Sequence, residues 1–262
     1  MNRWFGSVRV LLACARHQIL VSVRSWHFHA ILTVVQPGVL LLVTLSLPRR
    51  SQVTTYYASQ AALGVLMVSF WSCVLWTGAG ILRRERAEGT LASCLTGVRD
   101  LRLVLVGKLL GTNAISVLVT TLTVIAVLAA LRQPVRFDHV GWLVVGLLAL
   151  FASGLILGVW MASLFVLSRF GPQLSGALMY PVFLLAGLLT PLSALPSGIR
   201  WLSLGISLRW TKTFLASTIQ SSPDLPALGM VVILSACYAI AAALALRHFT
   251  AIALKEGTID FV

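Results

Sequence analysis

The chain has 262 residues, 58% of them hydrophobic and only 10% charged, with a net charge of +13 at pH 7. A soluble domain would carry roughly 25% charged residues, so the composition excludes one and reads as a single integral membrane domain over residues 1–262. The basic residues are scattered between apolar runs, which excludes a nucleic-acid surface and fits cationic loops beside anionic head groups.

Residues 1–29 carry Arg3, Arg9, Arg16 and Arg24, which leave no unbroken apolar core for a cleavable signal peptide. Asn2, Arg9 and Arg16 share one helix face, and Trp4, Val8, Leu11, Leu12, Ala15 and Ile19 cover the other. This pattern predicts a cationic amphipathic helix lying in the interface, with Trp4 and Trp26 at head-group depth.

Six apolar runs follow, at residues 30–47, 58–82, 103–131, 140–167, 174–194 and 225–246. They predict an all-α membrane protein with six transmembrane helices. Thirteen of the 20 Lys and Arg residues fall at the two termini and in the loops sharing their side. That bias places both termini and the 83–102 loop in the cytoplasm. Tyr56, Tyr57, Trp142, Trp201 and Trp210 then form the outer aromatic belt.

Pro37 and Pro181 interrupt the first and fifth spans, each removing a backbone donor. Gly154 and Gly158 form a small-xxx-small pair suited to close helix packing. Residues 195–224 hold apolar pieces too short to cross, with Pro191 and Pro196 at the entry, and an external re-entrant hairpin is predicted there.

No carboxylate falls within a predicted span, which argues against the proton or ion relays of secondary transporters. Gly107-Lys108, the only Gly-Lys pair, lacks the rest of a phosphate-binding loop, so no nucleotide site is expected in this chain. His27 and His29 stand two apart, wrong for a shared helical face. Cys14, Cys73, Cys94 and Cys237 match no metal-ligand spacing and are expected as free thiols. Neither a metal nor a bound cofactor is predicted, nor catalysis by the chain itself.

The segment 83–100 holds three of the seven acidic residues, Glu85, Glu88 and Asp100. Gly89 interrupts a helix continuing from the second span, and Thr90 is a good N-cap for a short helix over 91–96. Leu91, Cys94 and Leu95 give that helix an apolar face, flanked by Arg86, Glu88 and Arg99. A piece of this kind, parallel to the membrane, fits a groove on a soluble partner and can transmit a push.

The run Arg84-Glu85-Arg86-Ala87-Glu88-Gly89-Thr90-Leu91 resembles the R-E-R-x-x-G-T-L segment of ABC-2-type exporter membrane subunits, the class that includes daunorubicin-resistance permeases. Pro181-Val182-Phe183-Leu184-Leu185-Ala186-Gly187, with Pro191 and Leu195-Pro196 after it, is similar to that family's fifth span and outer loop. Ala92 stands where the family often has Glu, and Leu208 where a Pro is usual. The resemblance implies the type V exporter fold and two ABC ATPase subunits, which bind ATP and Mg and grip Arg84, Glu85, Arg86, Glu88, Gly89, Thr90, Leu91 and Leu95. It also implies a second membrane subunit, identical or related, in a bacterial plasma membrane. Phe70, Trp71, Trp76 and Phe183 are the candidates to line an apolar substrate pathway. The function expected is export of a hydrophobic or amphiphilic, drug- or antibiotic-like compound. The alternatives are a lipid or glycan exporter of the same family, or a non-transporting scaffold or channel.

Overall fold

The computed structural model describes residues 2–46, 56–90, 101–165, 171–189, 192, 195–220 and 222–256. These residues are helical, with no strand among them. Helix α1 (Asn2–Arg24) is followed by α2 (Trp26–Ala30), a π turn (Ile31–Val35) and α3 (Gln36–Ser46). Next come α4 (Tyr57–Cys73), a second π turn (Val74–Gly78) and α5 (Ile81–Ala87). Then α6 (Leu101–Ala130), α7 (Val140–Phe165) and α8 (Gly171–Leu185) follow. The chain closes with α9 (Ser197–Arg200), a 3-10 turn (Trp201–Gly205), α10 (Ser207–Gln220) and α11 (Leu225–Glu256).

Among the described residues, four helices are long and apolar enough to cross a membrane: Tyr57–Ala87, Leu101–Ala130, Val140–Phe165 and Leu225–His248. Ile31–Ser46 and Gln173–Leu185 are apolar and shorter. The four long helices are not equivalent. The most apolar stretch of Tyr57–Ala87 is 89% buried, against 28%, 28% and 17% for the other three, so this helix is the axis of the bundle. Its sequence explains the place: Ala58, Ser59, Ala61, Ala62, Ser69, Ser72 and Cys73 leave room for neighbours on every side.

Close approach at glycines sets the rest. A Cβ on Gly154 of α7 would fall 2.7 Å from Phe70 Cζ, and one on Gly158 would fall 3.2 Å from a Leu109 methyl. The pair read from the sequence is thus a face on which α7 meets α4 and α6. Phe70 also stacks on Phe151, with ring centroids 6.2 Å apart. The π turn Ile31–Val35 lies directly before Pro37, where the missing proline donor already weakens the helical ladder.

Helix α1 has the exposed apolar residues Val8, Leu12, Leu20 and Val23. It also has a third face that its charge pattern does not announce. Ala15, Gln18 and Ser22 are buried, because this stripe lies against α6 at Gly107 and Gly111.

At the end of the bundle away from α5, the Tyr56 hydroxyl donates to Asp138 Oδ2 at 2.8 Å. Ser59 Oγ donates to the Arg136 carbonyl at 2.7 Å and accepts the Arg136 N–H at 2.9 Å. Residues 195–220 close over this end. Pro196 caps α9 in an extended conformation, and Pro191 lies outside the described residues. Leu208, Phe214, Leu215 and Ile219 of α10 are fully buried, so Leu208 occupies a core position. The Tyr238 hydroxyl donates to the Gly205 carbonyl, tying the segment to α11. Cys14, Cys73 and Cys237 are free thiols, and Cys94 lies outside the described residues.

Candidate functional site

The site is the turn that ends α5. A helix leaves its last carbonyls without intrahelical donors, and a left-handed residue just past the end lets the following N–H groups reach back to them. Gly89 is that residue, with φ +71°. Its own N–H bonds the Arg86 carbonyl at 3.2 Å, and the Thr90 N–H bonds the Glu85 carbonyl at 2.9 Å. This is a Schellman closure, so Gly89 and Thr90 finish α5; the short helix expected over 91–96, with Thr90 as its N-cap, lies outside the described residues.

Glu85 is the hub of the turn. Its carbonyl takes the Thr90 N–H, its Oε2 accepts the Thr90 hydroxyl at 2.8 Å, and its Oε1 accepts the ammonium of Lys108 from α6. The ion pair is largely withdrawn from solvent, with the Lys108 and Glu85 side chains only 11% and 12% exposed. Two charges at such burial are held by one another, and removing either leaves the other uncompensated.

Beneath the pair, Ile81 and Leu82 of α5 pack with Leu101, Leu105 and Leu109 of α6, Ala162 of α7 and Leu246 of α11. Beside it lies α1. A Cβ on Gly107 would fall 2.7 Å from the Leu11 carbonyl oxygen and 2.8 Å from Cys14 Cβ. Burial raises the Cys14 thiol above its usual pKa; the Lys108 charge partly offsets this, and the Glu85 charge adds a smaller rise.

Of the eight residues expected to meet a partner, Arg84, Glu85, Arg86, Glu88, Gly89 and Thr90 are gathered in this turn, while Leu91 and Leu95 lie outside the described residues. Arg86, Glu88, Gly89 and Thr90 are exposed, and Arg84 and Glu85 are partly buried. Lys108 was not among the eight. Its signal was available: it is the single charged residue in the apolar run 103–131, placed well inside α6.

The four pathway candidates lie elsewhere. Phe70, Trp71 and Phe183 belong to the main core cluster, each no more than 2% exposed. Trp76 is half-buried, and a Cβ on Gly176 of α8 would touch its ring at 3.6 Å. A cavity of about 130 Å³ lies between the α1–α3 bend and α6, lined by Ser22, Trp26, His29, Thr33, Ser116 and Val119. Among the described residues, no group of three or more His, Cys, Asp or Glu side chains is placed to hold a metal ion.

An ABC-2 type transporter family model matches residues 9–219, from within α1 through the end of the buried part of α10. The chain belongs to the ABC-2 type transporter family. No curated protein matches it. As an ABC-2 chain it is a multi-pass membrane permease, and permeases of this family are the transport subunits of ABC transporters rather than catalysts themselves. The matched region contains the whole Glu85 turn together with Lys108.

Proposed function

We propose that this ABC-2 permease exports a hydrophobic or amphiphilic compound, drug- or antibiotic-like, and is driven by two separate ABC ATPase subunits docked on the turn at Arg84–Thr90. The reading includes six spans, both termini in the cytoplasm of a bacterial cell, an external hairpin over 195–224, and a second membrane subunit, identical or related. The single observation that carries it is the Glu85 turn. A cationic, exposed knob is built on the end of the most buried helix of the bundle, so force applied there enters the core directly. The apolar runs read from the sequence hold no carboxylate, which also favours an externally supplied energy source over an ion gradient.

The test is purification of the complex from its native membrane, followed by paired substitution of Glu88→Ala and Gly89→Ala. The expected result is an ATPase at about equal stoichiometry with the permease. The double variant should stay in the membrane while losing permease-stimulated ATP turnover. A wild-type chain that purifies without an ATPase, or a double variant with unchanged stimulation, overturns the proposal.

A further inference from the structure

The Glu85–Lys108 pair joins the turn to α6, and α6 is joined in turn to α1. The first tie is the buried ion pair, supported by the apolar contact of Ile81 and Leu82 with Leu101, Leu105 and Leu109. The second is the close approach at Gly107 and Gly111, where α1 presents the backbone of Leu11 and Ala15 and the Cβ of Cys14. On the other side of the turn the connection is of a different kind. Between α5 and α4 stands the π turn Val74–Gly78, a segment of widened hydrogen bonding. The Ala79 N–H reaches back five residues to Val74. π turns of this sort recur where helices are put to functional use.

We infer that Lys108 is a positioning residue that locks the α5 turn, the start of α6 and α1 into one rigid body, hinged against α4 at Val74–Gly78. A push on the turn is then delivered to α6 and to the interfacial helix, and not to the central helix alone. An ammonium on a flexible stem suits this role, because it follows the carboxylate through small shifts and its burial penalises separation. The inference rests on the coupling function proposed for the turn.

The experiment uses the permease–ATPase complex in phospholipid nanodiscs, with spin-label pairs at His17–Gln60 and His17–Ala114, all exposed positions on α1, α4 and α6. Distances are compared between the nucleotide-free and vanadate-trapped states. The expected result is a His17–Gln60 shift on trapping, with His17–Ala114 unchanged. In Lys108→Met the His17–Gln60 shift is lost while the ATPase still co-purifies. Permease-stimulated ATP turnover falls by about 5- to 150-fold, the range of an allosteric coupling. The exchanged pair Glu85→Lys with Lys108→Glu restores both readouts, which a purely structural staple would not do in a nucleotide-dependent way. A wild-type His17–Ala114 distance that changes on trapping overturns the inference. So does a Lys108→Met complex that keeps the wild-type shift, or an exchanged pair that binds ATPase without recovering it. A wild-type chain that binds no ATPase defeats the coupling reading itself, a distinct result.

Discussion

Gly111 of α6 stands against the backbone of Ala15 of α1, so that a Cβ at 111 would lie 3.0 Å from Ala15 Cα and nearer still to its carbonyl oxygen. No flexible side-chain end is available to yield there. Gly111→Leu therefore forces the two helices apart, at a cost of about 1–3 kcal/mol or more. Gly64 of α4 meets nothing within 4 Å. Gly64→Ala should leave the fold intact and gain about 0.5–1 kcal/mol of helix stability. Thermal melting of the two variants in detergent should move in opposite directions.

The thiol of Cys14 reports on the ion pair beside it. Burial holds its pKa above the usual value, so in a variant whose only cysteine is Cys14 the maleimide labelling rate should climb with pH through an inflection above that of a free thiol. Glu85 raises this pKa and Lys108 lowers it. Glu85→Gln should therefore speed labelling at neutral pH, and Lys108→Met should slow it. Stopped-flow labelling across the pH range checks both signs.

Phe70 fills the space that Gly154 leaves on α7 and is 1% exposed. Phe70→Ala should cost about 3–5 kcal/mol through the cavity it leaves. Trp76 is half-buried, and Trp76→Phe should change stability by no more than about 0.5 kcal/mol. Comparing Tm with transport activity for both variants separates a core role from a pathway role.

Two helix ends invite opposite substitutions. Gly187 closes α8 at φ +72°, with its N–H on the Leu184 carbonyl and the Leu188 N–H on the Phe183 carbonyl, both at 3.0 Å. Its own carbonyl accepts the Lys212 ammonium, which joins this closure to α10. Gly187→Ala should cost about 1–2 kcal/mol from the left-handed backbone alone. It would also press on Leu192 Cγ at 3.0 Å. Arg132 closes α6 in the same way at φ +49° without being a glycine. Arg132→Gly should stabilise by about 1 kcal/mol, as measured by melting.

Membrane character and the six apolar runs were legible in the chain because hydrocarbon imposes long, uncharged, helical stretches wherever a segment crosses. The place of the Glu85 turn was legible too, since a charged segment with a glycine stop between apolar runs is a local pattern. What the Glu85 carboxylate meets was not, because local sequence says nothing of which residue of a distant helix comes across to it. The tertiary structure brings Lys108 from α6 to the carboxylate that Thr90 also touches. Composition makes all the long apolar helices look alike. Which one becomes the axis, and which face of α1 meets α6, depends on where small residues let backbones approach, a property of pairs of helices that no single helix carries.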